Sequence, residues 1–224
     1  MAERPYTNRG EYLTYQCLKQ LSLTHPEDKL TIFANLFFNP VGQATVRQVD
    51  HLITSHRGVF ILETKYWAGT IYHQVCNQQL QVECEKFWPL IKDGLPPEIR
   101  VLSGTTPYTL VAQPNRPLAA YYGFGNPAEQ VRTAKTQLQG VLGRYLKVPP
   151  FVHGFVVYAY PRGAANTIVD LNQRLDADDQ NTAEPEGFTS VDAFAAFYDH
   201  LPEGVMQYQR LTAINTCIKN QIIS

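Results

Sequence analysis

The order of its segments predicts a mixed α/β fold: a helix, several strands, a helix, a strong strand, then helices, the pattern of one mixed β-sheet with flanking helices. Two stretches support this most directly. Residues 151–160 (FVHGFVVYAY) read as a buried strand, and residues 46–65 (VRQVDHLITSHRGVFILETK) hold two apolar runs joined by a short polar turn. A chain of 224 residues, 44% hydrophobic and 17% charged, is long enough for a proper core and excludes disorder. Residues 1–224 are read as a single domain, without internal repeats.

Taken in order, residues 10–23 place Leu13, Cys17, Leu18 and Leu21 at helical spacing, with Asn8 as cap and Pro26 beyond the end. Residues 30–38 read as a strand closed by Asn39-Pro40, and 46–54 and 59–65 as the next two. Residues 70–75 and 80–84 read as a further hairpin around Asn77-Gln78. Residues 85–125 are rich in proline, glycine and aromatics and have no sustained period. They read as a long ordered insertion with one or two short strands, and loops of this length are often functional. Asn126-Pro127 opens a helix to about residue 146 with cap and first-turn chemistry in the right order. Residues 167–169 offer another strand, and the acidic stretch 176–187 an exposed loop. Helices from Ser190 to about 200 and over 203–222 form a C-terminal elaboration from about 188.

Composition narrows the function classes. A net charge of −1 gives no bulk support for nucleic-acid binding, so any basic footprint must be local. No run of ~18 apolar residues suggests a membrane span, and MAERPYTNRGE has no apolar signal core. Cys17, Cys76, Cys84 and Cys217 are scattered without zinc-site spacing; reduced thiols in a cytoplasmic protein are the plain reading.

The chemistry concentrates in 46–65. Side chains alternate along a strand, so Glu63 and Lys65 share a face. A two-residue loop at His56-Arg57 puts Asp50 opposite Glu63; a loop at Arg57-Gly58 puts it opposite Lys65. A three-residue loop, which Gly58 could support, puts it opposite Thr64 and splits the cluster. In the clustered registers two carboxylates stand ~4.5–5.5 Å apart at Cβ and need a positive group between them. A hard divalent ion such as Mg²⁺ meets that need, and Lys65 would hold a water or a phosphate oxygen. Alone, a Glu-x-Lys at a strand end is more often a solvated pair, and a lone strand aspartate an edge or turn residue.

The blocks Gly10-Glu11, Val49-Asp50-His51-Leu52, Gly58 to Lys65, Trp67-x-Gly69-x-Ile71 and Asn126-Pro127-x-x-Gln130 occur in an order that resembles the NERD (nuclease-related) domain of the PD-(D/E)XK nuclease-like superfamily, over roughly residues 8–160. That resemblance implies a restriction-endonuclease-like mixed sheet flanked by helices. It implies Asp50 and Glu63 as ligands of Mg²⁺ or Mn²⁺, with the Thr64 carbonyl as an optional further ligand. Glu11 would complete the acidic cluster or recruit a second metal, and Lys65 would orient the attacking water and stabilise the transition state. Gln130 would line the same pocket, where the helix N-terminus also favours a phosphate. The implied activity is hydrolysis of phosphodiester bonds in DNA, with RNA sharing the same site. The insertion is longer than the family leads one to expect; it would cover the site, form a protein-partner surface or replace a duplex-binding element.

Bland readings stand beside these. Glu11 alone reads as a solvent-facing helix residue, His51 as packing or surface, and His153 as a core histidine. Tyr66 and Trp67 read as turn packing or as base-stacking rings. Arg116, Tyr121, Tyr122 and Phe124 read as insertion core or as a stacking surface for single strands. A catalytically inactive nucleic-acid-binding or protein-interaction module that keeps the fold is the alternative function. Oligomeric state is not legible.

Overall fold

A computed structural model describes residues 8–38, 46–161, 165–176 and 186–221. In chain order they form α1 (Arg9–Thr24), β1 (Thr31–Phe38), β2 (Arg47–Ser55), β3 (Gly58–Lys65), β4 (Gly69–Val75), α2 (Asn77–Glu83), α3 (Trp88–Gly94) and α4 (Pro97–Arg100). Then come β5 (Tyr108–Ala112), β6 (Ala119–Tyr121), α5 (Pro127–Tyr145), β7 (Val152–Tyr158), β8 (Asn166–Val169), β9 (Gly187–Phe188), α6 (Val191–His200) and α7 (Tyr208–Gln221). No described helix is long and apolar enough to cross a membrane.

The fold is mixed α/β with flanking helices, as predicted, but its strands form two sheets instead of one. The first runs β1-β2-β3-β7-β9, with β1, β2 and β3 antiparallel and β3, β7 and β9 parallel. One face packs Ile53, Phe60 and Leu62 against Leu18 and Leu21 of α1 and Phe194 and Tyr198 of α6. The other packs Leu52, Val59 and Ile61 against Leu138 and Leu142 of α5 and Leu211 and Ile214 of α7. Each of these fully buried apolar side chains contributes about 1.5–3 kcal/mol, so both helical layers are fixed to the sheet. Asn8 caps α1 by accepting the Gly10 N–H at 2.8 Å, and the Asn126 side chain accepts from Ala128 at 3.4 Å at the start of α5.

The second sheet, β6-β5-β4-β8, departs furthest from expectation. Residues 80–84 are not a strand paired to 70–75; they belong to or follow α2, and β4 pairs instead with β5 and β8. The Gln79 side chain accepts the Cys76 N–H at 3.0 Å and starts the helix. Asn77 is no hairpin tip: it is buried, accepting from the Tyr108 hydroxyl at 2.8 Å and donating to the Ile99 carbonyl at 3.0 Å. The insertion therefore supplies two strands, as predicted, together with helices that were not. Ile71 and Val111 of this sheet share a core with Val131, Val156 and Tyr158.

Smaller differences concern the C-terminal part. The 176–187 loop ends in β9, which two residues are too few to signal, and residues 177–185 lie outside the described set. The last helix starts at Tyr208, later than expected.

Glu186 ties the two sheets together. It pairs with Arg132 of α5, with Arg174 at 3.3 Å, and with buried His73 of β4 at 3.4 Å; the other nitrogen of His73 meets the Tyr158 hydroxyl at 2.9 Å. Burial alone would raise the Glu186 pKa, but the close His73 imidazole and the Arg132 and Arg174 charges pull it down to about 2. A depressed carboxylate adds stability above its unfolded pKa and loses it as pH falls toward the folded value. Glu186→Gln is therefore expected to cost about 1–2 kcal/mol at pH 7, after allowance for the half-exposed arginines. Urea midpoints of the two proteins should converge as pH falls from about 4.5 toward 2.

Candidate active site

The β2–β3 turn decides the site's geometry. Ser55 pairs with Gly58, so the loop is His56-Arg57, and His51 faces Leu62. This is the even-parity register that brings Asp50 toward Glu63. Strand pairing stops there, although β2 continues back to Arg47 and β3 on to Lys65. On the other side of β2 the ladder skips the same level: Ala34 pairs with His51 and Leu36 with Val49, while Asn35 sits at φ 49°. Into the opening between β2 and β3 Asp50 inserts its carboxylate, which accepts the Thr64 N–H at 2.8 Å. A side chain thus replaces a ladder partner at the level where the strands part.

Four charged groups converge on this opening. Glu63 and Lys65 are bound to each other at 2.6 Å, each side chain mostly buried. Asp50 is 8% exposed, and its pKa is pushed up to about 7, first by burial and then by Glu63; Glu11 adds to the rise, while the Thr64 N–H and Lys65 oppose it. Glu11 is buried too and shifted upward by burial and by Glu63, against an Asn8 hydrogen bond and Lys65. Glu11 reaches the cluster because α1 lies close on β3: a Cβ on Gly10 would stand 2.7 Å from the Tyr66 Cβ and 3.2 Å from a Thr64 methyl. Thr14 and Thr64 fix the same contact through their hydroxyls at 3.2 Å.

Three carboxylates thus share one ammonium, and the surplus buried negative charge lifts both Asp50 and Glu11. Hard oxygen donors in that state suit a divalent cation of the Mg²⁺ class. In this conformation Asp50 is engaged with Thr64 and Glu63 with Lys65, and oxygens of Glu11, Asp50 and Glu63 do not all come within 4.8 Å. Among the described residues the group that meets that spacing is His25, Glu27 and Asp28. It has a structural use: Asp28 accepts from Arg57 at 2.6 Å and from Tyr198 at 3.2 Å, and His25 meets Asp199 at 2.8 Å.

Comparison with protein families decides the affiliation. The family model described as the nuclease-related domain, NERD, matches residues 7–159. This chain belongs to the NERD family. NERD domains are PD-(D/E)XK-like nucleases, and the sheet and helices seen here fit the restriction-endonuclease-like fold. Neither a curated protein nor a solved structure matches the chain significantly.

Within the NERD match, the motif residues differ in how they meet. Gln130 stands in the first turn of α5. Its amide donates to the Phe124 carbonyl at 2.9 Å, and its Oε1 is buried without a hydrogen-bond partner among the described residues. No hydrogen bond joins it to Asp50, Glu63 or Lys65. His51 is fully buried, not at the surface; burial lowers its pKa to about 4, opposed by a bond to the Glu11 backbone. Trp67 stacks on Tyr121 at 4.5 Å and lies under the Lys65 ammonium at 5.9 Å, so it packs the turn and borders the cluster. Sequence reasoning read Asn8 only as a cap, whereas it also opposes the upward shift of Glu11, and it overlooked Arg47. The latter stands on the Asp50 strand beside the Phe124 ring, and no spacing signals that approach.

Proposed function

We propose that this NERD chain is a divalent-metal-dependent nuclease that hydrolyses phosphodiester bonds of DNA. The observation that carries the reading is the convergence of Asp50, Glu63, Glu11 and Lys65 where β2 and β3 part, with two buried carboxylates held above their ordinary pKa. Asp50, Glu63 and Glu11 would hold Mg²⁺ or Mn²⁺, with the Thr64 carbonyl as a further oxygen. When bound, such an ion supplies Lewis-acid polarisation of the phosphate and a more acidic water.

The chain's own groups do the rest. The Thr64 N–H orients Asp50. Lys65 is paired with Glu63; with Glu63 engaged by a cation, its ammonium would be available to face the charge that develops on the phosphate and to orient the water. Trp67 limits the space open to Lys65 and keeps it pointed at the cluster. Gln130, whose Oε1 has no hydrogen-bond partner among the described residues, would accept a hydrogen bond from a water at the site.

A second reading is a non-cutting module. The closed Glu63–Lys65 pair favours it, because Lys65 is already neutralised and would have to be released to meet a phosphate.

One assay separates the two. The purified chain is incubated with end-labelled single- and double-stranded DNA and Mg²⁺ or Mn²⁺, beside Glu63→Gln and Asp50→Ala. Metal-dependent cleavage that falls about 10²-fold or more in both variants is expected. Equal cleavage by all three proteins rules out this site; no cleavage and no heat of Mn²⁺ binding favour the module.

A further inference from the structure

Most aromatic side chains bordering the site are packed: Trp67 stacks on Tyr121, and Tyr66 lies 4.5 Å from Tyr160. Phe124 and Tyr122 are different. Phe124 is 78% exposed and Tyr122 is 40% exposed, in the short turn that leads into α5. A ring placed only to fill a core would be buried, and this one is held out. Gly123, at φ 52°, allows the turn that presents Phe124, and the Gln130 amide clamps the Phe124 carbonyl at 2.9 Å. The Arg47 guanidinium lies 6.0 Å from the Phe124 ring and is itself braced by the Gln137 side chain at 3.1 Å. Arg47 is three residues before Asp50 on β2, about 10 Å along a strand. The Phe124 ring therefore lies beside a guanidinium carried by the strand that also carries Asp50.

We infer that Phe124 and Tyr122, with Arg47, form a stacking step for single-stranded nucleic acid, which delivers one strand to the carboxylate cluster. The inference rests on the nuclease reading and names its substrate class. Charge favours a single strand over a duplex. Duplex DNA carries a charge every ~1.7 Å and is gripped through many phosphates, whereas this chain has a net charge of −1. Stacking recovers affinity without a wide basic face, because every base offers a ring, and Arg47 supplies one cation beside it.

The test is fluorescence anisotropy of labelled 20-nucleotide oligo-dT, oligo-U and a blunt duplex of matching length, in EDTA so that nothing is cut. Wild type is expected to bind single strands more tightly than duplex. Phe124→Ala should weaken single-strand binding about 5- to 100-fold, Phe124→Trp should retain it, and Arg47→Met should weaken it and flatten its salt dependence. A preference between oligo-dT and oligo-U names the sugar; either supports the step. Equal single-strand affinity of wild type and Phe124→Ala overturns the inference, as does tighter binding of duplex. Calorimetric Mn²⁺ binding keeps the two claims apart. Mn²⁺ binding and cleavage that persist while Phe124→Ala binds like wild type would remove the step and leave the nuclease. Phe124-dependent binding with no Mn²⁺ binding and no cleavage would remove the nuclease reading and retain the step.

Discussion

Asp50→Asn is expected to cut divalent-dependent cleavage severely and, at the same time, to stabilise the metal-free protein at pH 8. The two effects share one cause. Asp50 has a folded pKa of about 7 against an ordinary 3.8 because burial and Glu63 disfavour its charge. Between those values the folded state holds a proton that the unfolded state has lost, so stability drains away as pH rises from about 4 to 7 and the loss is complete above 7. Asparagine keeps an oxygen for the Thr64 N–H and removes the charge. The gain at pH 8 should be on the order of 2 kcal/mol. Urea midpoints in EDTA should nearly coincide at pH 4 and diverge toward pH 8, with the variant the more stable. Cleavage should fall about 10³-fold, the scale of losing several kcal/mol of metal-assisted stabilisation. A variant less stable than wild type at pH 8 would show that Asp50 is not held under electrostatic strain.

Arg57→Ala is expected to be the most destabilising single change, by about 3–5 kcal/mol, with the site left intact in molecules that fold. Arg57 sits in the β2–β3 turn and is 5% exposed. It donates to Asp28 at 2.6 Å, and to the carbonyls of Tyr198, Asp199 and Leu201 at 3.2, 3.2 and 2.8 Å. It thereby serves carbonyls in the last turn of α6 and at its C-cap Leu201, where the regular i+4 donors run out. Its guanidinium also lies 5.2 Å from the Tyr198 ring. Truncation leaves Asp28 buried without its guanidinium and takes a donor from three carbonyls, of which, among the described residues, only that of Tyr198 keeps another, the Leu201 N–H at 3.1 Å. Lysine should recover only part of the loss, because an ammonium lacks the forked donors. Asp28→Asn combined with Arg57→Met should cost less than Arg57→Met alone, which a double-mutant cycle in urea would read directly. The turn is at the opposite end of the hairpin from Asp50 and Lys65, so Mn²⁺ affinity of the folded fraction should not change.

Much of this was legible in the sequence, for physical reasons that differ by element. The α1, β1, β2, β3, α5 and β7 segments carry long hydrophobic patterns and explicit caps at Asn8 and Asn126. The even parity of the β2–β3 turn follows from alternation once the loop is two residues long. The α2 segment was missed because Leu80-Gln-Val-Glu-Cys alternates like a strand, while what decides it is a local bond from the Cys76 N–H to Gln79 and the burial of Asn77 by Tyr108 and Ile99. The second sheet was missed because β4 finds partners more than thirty residues away, in β5 and β8, which no local pattern encodes. The parting of β2 and β3 at Asp50 coincides with an irregularity at Asn35 of the neighbouring strand, which no local pattern announces, so residue spacing brought Asp50 and Glu63 together but not the way they meet.

The central claim is that Asp50 and Glu63 hold a divalent ion at the parted strands. The anomalous difference map of a crystal soaked in Mn²⁺ tests it most directly. The account predicts a peak within coordination distance of a carboxylate oxygen of both residues, with Glu63 turned away from Lys65. A map with no peak there, and Glu63 still bound to Lys65, or with a peak only among His25, Glu27 and Asp28, would contradict it.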